Sequence, residues 1–217
     1  MKLRSPFRIV TLVGVAALGA IAIANSIADA LSPGPLRYLD IFAPLPAARI
    51  QAACQASSVS FARSDLLVDC AAARSIEAIN SPGSTRVELN REAQTIVIQA
   101  LSMAPHESKL WLALALLQAR LNQPNGESLK MSYLTGPNTL ELVRPRLGSA
   151  VSGDALANSD LKALVAGDIR LILLSRPDLK DALIDAYRQA SSGGKAFLED
   201  RTNLFAPEFL TSLKNAK

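Results

Sequence analysis

The chain has 217 residues, a formal net charge of +4, 49% hydrophobic residues and only 5% aromatic residues. Three of its 23 cationic residues precede residue 9, and beyond residue 30 the cations and the acids nearly balance. Without a block of Lys and Arg or an aromatic platform, this balance argues against nucleic acid as a partner. The abundance of alanine and leucine favours closely packed α-helices over sheets.

Residues 1–30 have the pattern of a membrane segment. Lys2, Arg4 and Arg8 precede an uncharged apolar run over 9–28, and about 20 apolar residues are enough for a helix to cross a bilayer. Flanking cations stay in the cytoplasm. We therefore expect a signal anchor over 1–30 in a bacterial inner membrane, a linker over 31–45 and an exported domain over 46–217 in the periplasm.

Cleavage of this segment is the alternative. Residues 22–24 and 28–30 both have the small-x-small form of a signal-peptidase site, and cleavage would release a soluble periplasmic protein. The apolar run exceeds the about 7 to 15 residues of a usual signal peptide. We therefore predict a single, uncleaved N-terminal span.

Cys54 and Cys70 are the only cysteines of the chain. They fall in two predicted short helices, 46–57 and 65–79, on the side of the membrane where disulfides form. A disulfide between them would join an antiparallel hairpin. Two buried free thiols are the alternative, and a metal site is disfavoured because His106, the only histidine, lies far away in sequence.

The rest of the chain shows helical spacing bounded by caps and breakers, and no stretch alternates as a strand would. This pattern predicts an all-α domain. Asn90 is expected to cap one helix and Ser108 the next, and Gly136 is expected to end a helix in the left-handed conformation. The predicted helices cover 90–103, 108–121, 128–134, 138–149, 158–174, 177–190, 195–204 and 207–214.

One register within this array resembles the tetratricopeptide repeat. The residues that carry it occupy the repeat's small, bulky, small, terminal-proline, Trp, Leu and small positions: Ala93, Val97, Ala100, Pro105, Trp111, Leu114 and Ala115. The match fades at Gln118 and Glu127, and it covers about one and a half units. The resemblance implies a tetratricopeptide-like array of antiparallel helices with a concave surface for a protein partner.

A narrower likeness is carried by residues 129–138, with further matching runs at 144–147, 168–170, 176–179 and 186–188. These runs resemble a group of single-span helical proteins of alphaproteobacteria that accompany exopolysaccharide or O-antigen assembly genes. The resemblance implies a process in the cell envelope. It supplies no catalytic residue.

Candidate chemistry is sparse. Ser159 and Ser192 each begin a Ser-x-x-Lys motif, but the Lys-Thr-Gly and Ser-Asp-Asn motifs of penicillin-binding enzymes are absent, and Ser159 fits a helix cap. Asp178, Asp181 and Asp185 fit the solvated face of one helix. The sequence thus predicts no catalytic residue, cofactor or metal ion.

Two functions fit these observations. The first is a non-catalytic, membrane-anchored protein–protein interaction module that acts in envelope polysaccharide assembly or export. The second is a periplasmic glycan-binding factor or glycan-modifying enzyme, with Trp111, Tyr133 or Tyr187 stacking on sugar and Asp168 as a carboxylate. Two carboxylates about 5 to 10 Å apart in a deep pocket would favour hydrolysis, whereas a shallow groove would favour the interaction module.

Overall fold

The computed structural model describes residues 4–36, 40–82 and 86–215. Lys2 and short parts of the predicted anchor, linker and exported domain (1–3, 37–39, 83–85 and 216–217) lie outside these residues. Within the described ranges every regular element is helical, which confirms the predicted all-α class.

A long segment, 32–46, joins α1 to α2, and shorter connections join the other α-helices. In chain order they are α1 Arg4–Leu31, α2 Ala47–Val59, α3 Ser64–Asn80, α4 Arg86–Met103, α5 Ser108–Arg120, α6 Gly126–Thr135, α7 Val143–Ser152, α8 Ser159–Ser175, α9 Lys180–Gln189, α10 Ser192–Phe205 and α11 Pro207–Lys214. Single 3-10 turns cover Leu140–Leu142, Ala155–Ala157 and Pro177–Leu179.

Helix α5 lies between two hydrophobic cores. Leu110, Leu114 and Leu117 recur at helical spacing and pack into the core of α3 and α4. Leu112 and Ala115, on the adjacent face, pack into a larger core formed with the helices from α6 onward. A helix that is apolar on several faces is buried on several faces, so α5 joins the two cores.

Helix α1 is one continuous helix, and its stretch Arg8–Leu31 is long and apolar enough to cross a membrane by length and composition. Its C-terminal end contacts the domain. Ala28 is buried against Ala56 of α2 and Leu66 of α3. The predicted linker is also partly packed, since Leu36 is buried and its N–H donates to Asp69 Oδ1 at 3.1 Å.

The two cysteines lie at disulfide distance, as the hairpin prediction requires. Cys54 of α2 and Cys70 of α3 have an S–S separation of 2.00 Å and a Cα–Cα separation of 4.6 Å. Closing a loop of this length stabilises a domain by about 3 kcal/mol on the chain-entropy model. The crosslink therefore ties together the two helices against which α1 ends.

Three predicted N-caps are wrong. Ser108 is the first residue of α5 rather than its cap, and Glu107 occupies the N-cap position without a side-chain hydrogen bond. Helix α4 begins at Arg86, not at Asn90, and Asn90 is fully buried inside it. Leu89, in the additional N-terminal turn, packs on the core. Helix α8 is capped by Asn158 rather than Ser159, because the Asn158 side chain accepts the N–H groups of two residues in the first turn.

The prediction for Gly136 is wrong in its physical reason. Its φ of −147° is open to any residue. The glycine is needed because the start of α5 lies close: a Cβ at this position would lie 2.5 Å from Ser108 Oγ and 2.8 Å from Thr139 Oγ1. The close approach of α5, and not a left-handed backbone conformation, thus explains why a glycine is needed at this position.

Candidate binding groove

A groove lies between the two cores. It consists of two adjoining cavities of about 520 and 410 Å³. Phe42, Arg144 and Pro145 line both cavities, so the two are continuous. Phe42, from the segment after α1, is 46% exposed and marks the boundary between them.

The floor of the larger cavity is aliphatic. Ile79 at the end of α3, Leu116 of α5 and Ala182 and Ala186 of α9 contribute to it. Because α5 packs on both cores, it places the α3 end and α9 on opposite sides of the same depression. Small residues on α9 keep that depression open.

The rim of this cavity is cationic. Arg120 donates to the Ile79 carbonyl, and burial, followed by the nearby positive charge of Arg86, lowers the pKa of its guanidinium. An arginine remains charged under these conditions. Within the described ranges neither Arg86 nor Arg120 forms an ion pair with a carboxylate. An anionic group bound at this rim would reduce the repulsion between Arg86 and Arg120.

The carboxylates of the groove are engaged differently. Asp185 of α9 contacts Arg144 of α7 and also lies 3.5 Å from Arg188. In the smaller cavity, Glu141 pairs with Lys109 at 2.6 Å. Each of these carboxylates is paired with a cation. General acid–base catalysis instead needs groups that can exchange a proton with the substrate.

Asp178, Asp181 and Asp185, which the sequence predicts to lie on one solvated helix face, do not form a metal-binding cluster. Asp178 pairs with Arg176 at 2.6 Å, and this hydrogen bond lowers its pKa. Asp185 turns toward the groove as described. Over the part of the chain that is described, no group of three or more His, Cys, Asp or Glu residues could hold a metal ion.

The candidate sugar-stacking residues lie away from the groove lining. Tyr133 is only 3% exposed. Tyr187 donates its hydroxyl to Glu199 at 2.6 Å. Trp111 is half-buried and its Nε1 donates to the Pro105 carbonyl at 2.8 Å. All three side chains are thus engaged in contacts within the chain.

Asp168, the candidate carboxylate, belongs to an internal polar cluster. It is 8% exposed and lies near Tyr133 and Arg146. Burial raises the pKa of its carboxyl to about 6, against the lowering effects of Tyr133 and Arg146. The Arg146 guanidinium stacks over the Tyr133 ring at 4.9 Å. The sequence did not indicate this cluster.

The residues of the tetratricopeptide register divide into core and turn positions. Ala93, Val97 and Ala100 of α4 and Leu114 of α5 are buried in one core, whereas Ala115 is buried in the other. Pro105 is exposed in the turn between the two helices, where its carbonyl receives the Trp111 indole N–H. Trp111 packs against the core that contains the α4 residues.

Trp111→Ala should destabilise the protein by about 2 to 4 kcal/mol, since it removes a large, partly buried side chain and one hydrogen bond. Trp111→Phe keeps most of the packing and should cost about 1 kcal/mol. Chemical denaturation of the full chain in detergent measures both values. An Ala variant as stable as the parent would mean that Trp111 is a surface residue available to a ligand.

Comparison with protein-family models, with curated proteins and with solved structures finds no match for this chain.

Proposed function

We propose that the chain is a non-catalytic, membrane-anchored protein whose helical domain binds a partner protein in the groove. The observation that carries the proposal is the groove itself, with an aliphatic floor and, at its rim, two arginines that have no carboxylate partner among the described residues. Such a surface suits an amphipathic segment that carries apolar and acidic side chains. The tetratricopeptide resemblance is consistent with this mode of binding.

The anchoring part of the proposal is supported by the C-terminal end of α1. Ala28 is buried against α2 and α3, and Asp29 pairs with Arg63 at 3.1 Å. Cleavage after residue 30 would remove Ala28 and Asp29 and would expose Ala56 and Leu66. Cleavage after residue 24 would leave only residues 25–31 of α1 to make this contact. This contact favours an uncleaved span over cleavage after residue 30. The inner membrane and the periplasmic side of the domain are proposed from the cations that precede the span.

The process is proposed from the resemblance alone: the assembly or export of envelope polysaccharide. The groove favours a protein over a glycan as the bound partner, because aliphatic side chains form its floor and Phe42 is the only aromatic residue among the described residues that line it. Sugar sites usually offer aromatic faces for stacking. A polysaccharide-assembly protein is thus the expected partner.

The test is photo-crosslinking in cells. A photoreactive amino acid at Ala119, an exposed groove residue, should crosslink one partner protein, and the same group at Gln99 of α4 should not. Arg86→Glu should abolish the Ala119 crosslink, because it reverses a charge at the rim. Arg91→Glu, the same charge change on the same helix outside the groove lining, should leave it intact.

Two outcomes would overturn the proposal. The first is an Ala119 crosslink that responds equally to both charge reversals. The second is no crosslink at Ala119 in cells where the protein is folded and present at its normal level.

A further inference from the structure

The turn between α2 and α3 contacts the end of the apolar helix. We define the α2–α3 tip as residues 59–63. The backbone N–H of Phe61 donates to Asn25 Oδ1 of α1 at 3.1 Å, and Arg63 pairs with Asp29 at 3.1 Å. The disulfide between Cys54 and Cys70 holds the two helices that lead into the tip. The tip is therefore fixed against α1 at two successive turns of that helix.

The length of α1 sets the depth of this contact. A helix rises 1.5 Å per residue, so the apolar run over 9–28 spans about 30 Å, the thickness of the hydrocarbon core. With Arg8 at the cytoplasmic boundary, Ala28 lies at the opposite boundary. Asn25 then lies about 4 to 5 Å inside that boundary. Phe61, which is bonded to the Asn25 side chain, lies at about the same level.

The side chains of the tip suit this position. Phe61 is 62% exposed and Val59 is 40% exposed. Ala22 and Leu18, which share the face of α1 that carries Asn25, are also exposed. The Asn25 carbonyl oxygen, which would be costly to leave unpaired in hydrocarbon, accepts the Phe61 N–H. Arg63, which bonds Asp29 and Asp65, adds charge near the level where lipid headgroups begin.

We propose that the α2–α3 tip inserts Phe61 and Val59 into the outer face of the same bilayer that α1 spans. The proposal rests on the anchoring proposed above. Its argument is continuity: the exposed apolar side chains of the tip extend the lipid-facing surface of α1 rather than form a separate patch. Because the tip and α1 are bonded to each other, the domain is held against the membrane rather than on a free tether.

The experiment places a nitroxide label at one position at a time in the full chain, reconstituted in vesicles of phosphatidylethanolamine and phosphatidylglycerol. Cys54 and Cys70 are disulfide-bonded, so an introduced cysteine can be labelled without a reductant. The label sites are Phe61→Cys, Val13→Cys in the span and Leu204→Cys on α10. Leu204 is 61% exposed and Val13 is 63% exposed, which matches Phe61. Collision rates with oxygen and with a water-soluble nickel chelate are compared.

We expect the Phe61 and Val13 labels to be accessible to oxygen and to collide with nickel several-fold less often than the Leu204 label. A Phe61 label open to nickel beside a protected Val13 label would overturn the insertion and leave the anchoring intact. Nickel access at Val13 as well would overturn the anchoring itself. A Phe61 label shielded from both reagents would show that protein, such as a second copy of the chain, covers the tip, which also contradicts the proposal.

Discussion

Arg146→Met should destabilise the protein by about 3 to 5 kcal/mol, since it leaves buried polar groups unpaired. Arg146 is 1% exposed. Its Nη1 donates to the Gly136 carbonyl at 2.9 Å, its Nε donates to Ser132 Oγ at 3.0 Å, and its Nη2 donates to the Ser132 carbonyl. These carbonyls lie at the C-terminal end of α6, where helical partners are missing. Arg146 thus caps α6 from inside the core.

Arg144→Met is the matched control. It lies two residues earlier on the same helix, but it is exposed and pairs with Asp185 at the surface. A surface ion pair of this kind contributes about 0 to 1 kcal/mol. Denaturant unfolding of both variants at pH 7 makes the comparison. Equal stabilities for the two variants would contradict the capping role of Arg146.

The pH dependence provides a second measurement on the same variant. Burial raises the pKa of the Asp168 carboxyl to about 6, and the positive charge of Arg146 opposes that rise. The protonated carboxyl is favoured by folding, so its contribution to stability is lost as pH rises through the folded pKa. Arg146→Met removes the opposing charge and raises that pKa further. The loss of stability should therefore be greater at about pH 8 than at about pH 5.

The sequence predicts the structure correctly where the deciding interactions join residues that are close together in the chain. Helix α11 has the predicted bounds because Pro207 can begin a helix without losing a hydrogen bond. The cysteine pair also follows from local structure, since Cys54 and Cys70 lie on two helices joined by a short turn. In both cases the deciding interactions lie within about 20 residues of one another.

The sequence was uninformative where distant segments meet. Arg146 follows Arg144 and Pro145, and such a charged run is typical of a surface; only the approach of α6 makes it a buried cap. The groove likewise depends on Arg86 and Arg120, which lie on different helices. Periodicity identifies which residues share a helix face, but it does not indicate which faces meet across the core.

Gly194→Ala should destabilise the protein by about 3 kcal/mol or more, because the added methyl group meets backbone that cannot move aside. A Cβ at this position would lie 2.1 Å from the Val151 carbonyl oxygen. The same carbonyl accepts the N–H of Ser191 at 2.9 Å and its hydroxyl at 3.2 Å. Ser191 Oγ in turn accepts the Gly194 N–H at 3.1 Å. The start of α10 therefore rests directly on the end of α7.

Gly193→Ala separates this contact from the general cost of glycine in a helix. No atom lies within 4 Å of a Cβ at Gly193, which is exposed in the same first turn of α10. Alanine there should leave stability unchanged or raise it by up to about 1 kcal/mol, because it reduces the freedom of the unfolded chain. Thermal unfolding of the two single variants decides the matter. If Gly193→Ala lowered stability as much as Gly194→Ala, both glycines would be required for the backbone conformation of α10. The contact of Gly194 with α7 would then not explain the effect.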